Sequence, residues 1–259
     1  MKKISDLKVV DVQHPREDYV VLRLQYQEAD FPEVRAGQFV EVRVPDAPTT
    51  FLRRPISINA VCRDRGEISL LIHAVGDGTR RLLRTELGSS LSCIFPLGNG
   101  FSIPSGGKKR MLLVGGGVGT APLLQYGRDL VAAGHEPTFL LGGRSACDLL
   151  QLDLFEQIGR VFTTTEDASL GERGFVTDHS LLKQETFDAV ATCGPKPMMM
   201  AVARYARAKG LPCEASLENL MACGLGACLC CVEKTNEGHN VCVCKDGPVF
   251  NIDLLQWPN

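Results

Sequence analysis

Met221-Ala222-Cys223-Gly224-Leu225-Gly226-Ala227-Cys228-Leu229-Cys230-Cys231, answered further on by Cys242-Val243-Cys244-Lys245-Asp246-Gly247-Pro248, is the stretch whose reading decides the architecture. Cys223, Cys228 and Cys231 stand at C-x4-C-x2-C spacing, by which one tight loop presents three thiolates to a [2Fe-2S] cluster. Cys244, just ahead of the Asp246-Gly247-Pro248 turn, can supply the fourth. Cys242, two residues earlier on an expected strand and so on the same face, is the reserve. Gly224 and Gly226 lack Cβ atoms, which lets the loop turn backbone N–H groups towards the sulfurs. Zinc is the competing metal, but structural zinc usually takes paired short knuckles, and the four-residue gap fits those poorly. Cysteines packed as small apolar residues do not account for so many in so short a run.

The chain has 259 residues, room for two domains of ordinary size and a small appendage. A net charge of -2, with the charges interspersed, gives no reason to expect nucleic acid or an anionic membrane as partner. The start, Met1-Lys2-Lys3-Ile4-Ser5-Asp6-Leu7-Lys8, develops no apolar region of the kind a secretory signal needs, and no window is long enough to span a membrane. A cytoplasmic protein is expected. Eleven cysteines in a reducing compartment then read as thiols and metal ligands, not disulfides.

Residues 1–102 alternate apolar and polar side chains in short runs, at 7–12, 19–24, 39–44, 56–61, 68–75 and 91–95, with His14-Pro15, Ala36-Gly37 and Pro45-Asp46 as turns. Period two predicts half-buried antiparallel strands, and six of them predict a small closed barrel. Two features of this part ask for more than packing. Arg53-Arg54-Pro55-Ile56-Ser57 puts a cation and a small hydroxyl on one rim, and Gly76-Asp77-Gly78-Thr79 opens onto a helix whose N-terminus favours a phosphate. Together they can hold a dinucleotide's pyrophosphate; singly, a surface ion pair and a plain hairpin turn explain them equally well.

Residues 103–216 switch to longer strand–helix alternation. Arg110-Met111-Leu112-Leu113-Val114 reads as a buried parallel strand running into Gly115-Gly116-Gly117-Val118-Gly119-Thr120, with Thr120 as helix N-cap and Pro122 in the first turn. Strands at 137–142, 160–164 and 188–193 follow, so a doubly wound parallel sheet is predicted. The last of these ends in Cys193-Gly194-Pro195, where ligands of such sheets bind. Glu166 and Asp167, just after a strand, can accept from a ribose hydroxyl and repel a 2'-phosphate, which favours NAD; Arg144 pulls the other way, and a solvated loop explains the acidic pair as well. Cys193 is otherwise a buried cysteine at a strand end, and His73 a structural histidine.

Arg54-Pro55-Ile56-Ser57, Gly76 to Thr79, the triple-glycine loop and Cys193-Gly194-Pro195 together resemble the ferredoxin-reductase family. That resemblance implies FAD on the barrel, with Arg54 and the Gly78-Thr79 loop at the pyrophosphate, Ser57 near the flavin ring and Leu71-Ile72-His73 beside it. Ile56 stands where the family usually has an aromatic residue. The resemblance places Cys193-Gly194-Pro195 next to a nicotinamide. Ser216-Leu217-Glu218 with the cysteine loop and Val243-Cys244-Lys245-Asp246-Gly247-Pro248-Val249-Phe250 narrows it: the whole chain is similar to the electron-transfer subunits of NAD-dependent dihydroorotate dehydrogenases. This implies a [2Fe-2S] cluster on Cys223, Cys228, Cys231 and Cys244, and an FMN-containing catalytic subunit as partner in a heterotetramer of two of each. Cys230 is an extra thiol against the family pattern.

The expectation is therefore an α+β multidomain protein: an FAD-binding six-stranded antiparallel β-barrel (1–102), an NAD-binding doubly wound α/β domain (103–216) and a small cluster domain (217–259). It would relay electrons from the partner to NAD+. No side chain in it reads as the acid, base or nucleophile of dihydroorotate oxidation, since the five histidines are scattered. A flavin/iron–sulfur subunit of another NAD(P)H:ferredoxin oxidoreductase-type complex shares most of these motifs. A zinc-stabilised nucleotide-sensing module, which would be colourless, is the reading from outside redox chemistry.

Overall fold

The computed structural model describes residues 3–258; Met1 and Lys2, which open the stretch read as lacking a secretory signal, and Asn259 lie outside the described residues. The alternating runs form β1 (Lys3–Arg16), β2 (Tyr19–Gln25), β3 (Phe39–Val42), β4 (Arg54–Cys62), β5 (Glu67–His73) and, after the short helix α1 (Asp77–Leu82), β6 (Ser90–Leu97). They close into an antiparallel barrel in the order β1-β2-β5-β4-β3-β6. Alternation is the cause: Val20, Leu22 and Leu24 of β2 and Ile68, Leu70 and Ile72 of β5 are almost wholly removed from water inside the barrel. Each such side chain contributes roughly 1.5–3 kcal/mol over its exposed state. His14-Pro15 is not the expected turn. It continues β1 at a register shift between Gln13 and Arg16, which tolerates the missing proline N–H, and the chain reverses at Glu17-Asp18.

The second unit runs β7 (Arg110–Gly116), α2 (Ala121–Ala132), β8 (Glu136–Gly143), α3 (Leu152–Glu156), β9 (Arg160–Thr165), β10 (Glu172–Arg173), α4 (Leu181–Gln184), β11 (Ala189–Cys193), α5 (Lys196–Lys209) and β12 (Cys213–Ser216). Its sheet has the order β10-β9-β8-β7-β11-β12-β15, with β15 (Val249–Asn251) coming from the last part of the chain, so the winding reverses between β7 and β11. That reversal opens a crevice at the carboxyl ends of the two strands.

The last part holds the hairpin β13 (Val232–Lys234) and β14 (Asn240–Cys242), the one-turn helix α6 (Val243–Asp246) and β15 (Val249–Asn251). β15 joins the large sheet as its antiparallel edge on β12, a connection the sequence reading does not contain. One apolar cluster runs through all three parts: Phe39 and Leu97 of the barrel, Leu112 and Val114 of β7, and Cys231, Cys244, Phe250 and Trp257 of the tail. The cysteine loop is thereby seated against both larger units.

Candidate functional site

In the cysteine loop Gly224, Gly226 and Leu229 adopt positive φ (65°, 82° and 59°) and curl the backbone around the sulfurs. The N–H of Leu225 donates to Cys223 Sγ (3.3 Å), that of Gly226 to Cys244 Sγ (3.1 Å) and that of Cys244 to Cys231 Sγ (3.4 Å). Burial pushes the Cys223 thiol up, but the N–H groups of Leu225, Cys228 and Ala227 outweigh it and bring the thiol down to about 6. Burial, with Cys231 adding to it, pushes Cys244 up to about 12. Cys231 and Cys244 are buried, Cys223 is half-buried, and Cys228 and Cys230 are exposed. Among the described residues no three His, Cys, Asp or Glu side chains converge on one metal-ion position. A quartet of thiols with N–H donors on three of them suits an iron–sulfur group, whose sulfurs take such bonds. Cys242 and Cys244 do not share a strand as expected: Cys242 ends β14 and Cys244 lies in α6, because the chain turns helical between them. Cys242 Sγ instead lies 3.9 Å from the Gly226 carbonyl.

The barrel presents its outer face to this loop. Register pairs Phe39 with Ser57 and Glu41 with Pro55, so these four side chains share a face. The two arginines separate in role. Arg53 donates to the Ser92 carbonyl (2.6 Å) and hydroxyl (3.0 Å) and is structural, whereas Arg54 makes no ion pair among the described residues and lies across Gly78. A Cβ at Gly78 would collide with the Arg54 guanidinium, so the glycine is what lets the cation meet the first turn of α1. Thr79 Oγ1 ties that turn, accepting from Gly76 N–H and donating to the Gly76 carbonyl, both at 3.1 Å. A cation over open helical N–H groups suits a pyrophosphate. Ile72 points into the barrel core and Leu71 packs with Tyr19 and Ala121, so of the run expected beside a flavin only His73 reaches a cavity wall.

Between the units lies a cleft of about 620 Å³, lined by His73, Gly116, Gly117, Gly119, Glu166 and Pro195 among others. The glycines have different tasks. A Cβ at Gly115 would meet the Thr120 methyl at 2.8 Å, at Gly116 the Met198 sulfur at 2.6 Å, and at Gly119 the backbone of Gly194 at 2.5 Å. Only Gly117, at φ 56°, faces open space, so it is the one a ligand can approach freely. Thr120 stands at the N-cap position of α2, as expected, but its side chain makes no capping bond. Its φ and ψ are helical and its hydroxyl donates to the Gly117 carbonyl (3.0 Å), because a 3-10 turn over Gly117–Thr120 precedes α2. Cys193 is fully buried behind the cleft with its Sγ 3.9 Å from Glu218 Oε1. Burial, reinforced by Glu218, holds its thiol well above the ordinary value. Asp167 caps Ser169 (N–H 3.0 Å, hydroxyl 2.6 Å), leaving Glu166 to face the cleft.

Among the wall residues not singled out as site residues from the sequence are Tyr19, Thr164, Phe175 and Glu218. Tyr19 stacks on His73 at 4.2 Å with the rings 2° apart, a pairing fixed by β2–β5 register. Only Glu218 carried a signal, as the last residue of Ser216-Leu217-Glu218. Beside the cysteine loop, Glu41 is buried with both carboxylate oxygens unpartnered, and a Cβ on Gly224 would come within 2.9 Å of one of them. Burial pushes the Glu41 carboxyl up to about 7, against the pull of Arg53.

Comparison with known proteins agrees with this geometry. Residues 218–256 match the iron–sulfur cluster binding domain of dihydroorotate dehydrogenase B, and residues 113–204 the oxidoreductase NAD-binding domain. The dihydroorotate dehydrogenase B (NAD(+)) electron transfer subunit of Shouchella clausii is 39% identical over 83% of this chain and 84% of its own. That of Listeria monocytogenes serovar 1/2a is 39% identical over 85% and 87%. A chain of the NADH-dependent reduced ferredoxin-NADP oxidoreductase, solved for flavin-based electron bifurcation, superposes with a TM-score of 0.86 at 30% identity, covering 97% of this chain and 90% of its own. The ferredoxin reductase of carbazole 1,9a-dioxygenase shares the fold alone, with a TM-score of 0.68 at 20% identity over 82% of this chain and 67% of its own. Among the described residues no helix is long and apolar enough to cross a membrane. The barrel, the doubly wound sheet, the cysteine loop and these identities lead to one assignment: the chain belongs to the family of dihydroorotate dehydrogenase B (NAD(+)) electron transfer subunits.

Proposed function

We propose that this chain carries electrons from an FMN-containing dihydroorotate dehydrogenase catalytic subunit to NAD+ in the cytoplasm, in a heterotetramer of two of each chain. Residues 1–102 hold FAD, residues 103–216 hold NAD, and residues 217–259 hold a [2Fe-2S] cluster on Cys223, Cys228, Cys231 and Cys244. The observation that carries this is the cysteine loop, in which three of those four sulfurs already accept backbone N–H groups. When bound, the groups supply the electron chemistry: nicotinamide exchanges a hydride, an iron–sulfur centre one electron at a time, and a flavin converts between the two.

The chain's own residues bind and orient. Arg54 and the first turn of α1, with Gly78 and Thr79, fix the pyrophosphate charge, Ser57 approaches the ring from the face it shares with Pro55, and Ile56, paired with Val40, packs against the barrel core. Gly117 lets the nicotinamide dinucleotide approach β7, while Gly115, Gly116, Gly119 and Gly194 pack the two loops so closely that no side chain intrudes. Glu166 takes the ribose hydroxyls, and Cys193 with Pro195 shapes the wall at the nicotinamide. Cys228, exposed at the loop tip, is the side from which a partner delivers electrons.

The cofactor-loaded chain alone is expected to reduce a dye with NADH and to leave dihydroorotate untouched. Dihydroorotate turnover by partner-free protein contradicts the proposal. The likeness to the bifurcating oxidoreductase chain favours a second reading, a subunit of another NAD(P)H complex. Co-purification from native cells separates the two: a dihydroorotate dehydrogenase catalytic chain supports the first, a different flavoprotein the second.

A further inference from the structure

Glu41 sits in the middle of β3 with 1% of its surface exposed, and among the described residues neither of its carboxylate oxygens has a hydrogen-bond partner. The strand explains the place but not the residue. Val40 and Val42 on either side fill the barrel, so position 41 faces outwards with Phe39, on the side where register sets Pro55 and Ser57 opposite them. Phe39 is buried there in the apolar cluster that also takes in Cys231 and Cys244. Packing alone would favour an apolar side chain at position 41 as well.

The neighbouring cations do not pair with it. Arg53 directs its guanidinium to the Ser92 carbonyl (2.6 Å) and hydroxyl (3.0 Å) and reaches only the backbone carbonyl of Glu41 (3.4 Å), while Arg54 lies across Gly78. A carboxylate held out of water without a partner is so costly that the group keeps its proton instead. Glu41 is then a neutral donor without an acceptor in the protein. What covers it is the cysteine loop. A Cβ on Gly224 would stand 2.7 Å from Glu41 Cγ and 2.9 Å from Oε1, and the residue before Gly224 is Cys223, the cysteine whose charge bears on the Glu41 carboxyl. Gly224 thus has a second task besides its φ of 65°: it leaves room for the acid.

We propose that the Glu41 carboxyl donates a hydrogen bond to the Cys223 sulfur when the loop holds its cluster, and thereby raises the potential at which the cluster accepts an electron. This rests on the reading of the loop as a [2Fe-2S] site and goes beyond it, because the donor comes from the barrel and not from the loop's own backbone. The sign follows from charge. An arriving electron makes the sulfurs more negative, so a hydrogen-bond donor favours the reduced form, whereas an ionised acid in the same place would oppose it. The N–H of Leu225 already reaches Cys223 Sγ (3.3 Å), and Glu41 adds a side-chain donor from across the interface. A substitution in the barrel therefore retunes a centre whose ligands all lie in the last part of the chain.

The test compares wild type, Glu41→Gln and Glu41→Met, purified anaerobically with their cofactors. Redox titration followed by electron paramagnetic resonance, at one mildly acidic pH, reads the midpoint potential of the cluster in each. Gln keeps an uncharged donor; Met matches the length and removes it. Glu41→Met is expected to lower the potential by about 59 mV, which is tenfold in a one-electron equilibrium, with Glu41→Gln close to wild type and the iron content of both undiminished. A Glu41→Met potential equal to that of wild type overturns the hydrogen bond. So does a Glu41→Gln potential clearly above wild type, the result of removing a negative charge, and this criterion decides alone if Glu41→Met takes up no iron. Wild-type protein without iron overturns the cluster reading itself.

Discussion

Glu41 is the residue whose environment is least like that of its neighbours on β3. Val40 and Val42 fill the barrel, while Glu41 turns outwards against Gly224 and is shut off from water there. Because burial raises its folded-state value from 4.5 to about 7, the folded protein holds the proton more tightly than the unfolded chain. The resulting cost to stability is absent below pH 4.5, accumulates up to pH 7 and is constant above it. Glu41→Gln is therefore expected to stabilise the chain at pH 8 by on the order of 2 kcal/mol and to give no advantage near pH 4. Thermal melts of both proteins across that range check it; an advantage independent of pH contradicts it. At this scale the sequence was legible where spacing carries the chemistry: the stretch with the C-x4-C-x2-C spacing, read as a cluster loop, lies within residues 218–256, which match the iron–sulfur cluster binding domain. It was silent on Glu41, Thr164 and Phe175, whose character comes from what tertiary packing places over them.

Among the elements, the β1–β2 turn does more than reverse the chain. Arg16 pairs with Asp18, reaches Asp148 Oδ1 beyond β8 (2.8 Å) and lies over the Tyr19 ring (4.8 Å), while Asp18 meets His73 Nε2 (3.2 Å). One arginine thus ties the barrel to the nucleotide unit at the rim of the cleft. The bond from Arg16 chiefly holds the Asp18 carboxyl well below its usual 3.8, so its contribution is full above that pH and is lost as pH falls below it. Arg16→Ala is expected to lower the melting temperature at pH 7 by a few degrees, with the gap to wild type closing below about pH 3. A gap that persists at acid pH would mean the arginine acts only through packing on Tyr19. The expected turn at His14-Pro15 misses this device, because proline in an edge register shift looks in sequence like proline in a turn. Cys242 and Cys244 show the same limit: two residues apart they read as one strand face, until a single helical turn separates them.

For the whole molecule, the barrel and the doubly wound sheet were readable because hydrophobic periodicity repeats over many residues. The attachment of the last part was not. β15 is three residues long and follows Gly247-Pro248, too short for periodicity to register, yet it completes the large sheet. Asn99 at the end of the barrel binds the carbonyls of Lys245 (3.2 Å), Asp246 (2.9 Å) and Gly247 (2.6 Å), so the cluster part is fastened at both sides. Such fastening holds an electron relay at fixed separations, which a tethered domain on a flexible linker does not. The central claim, that four thiols of this loop hold two irons, is tested most directly by iron and acid-labile sulfide analysis, with the visible spectrum, of anaerobically purified wild type and Cys228→Ser. About two irons and two sulfides per wild-type chain are expected, as a [2Fe-2S] centre requires, with both lost in Cys228→Ser and bound flavin retained. Iron-free wild-type protein, or a serine variant with undiminished iron, contradicts it.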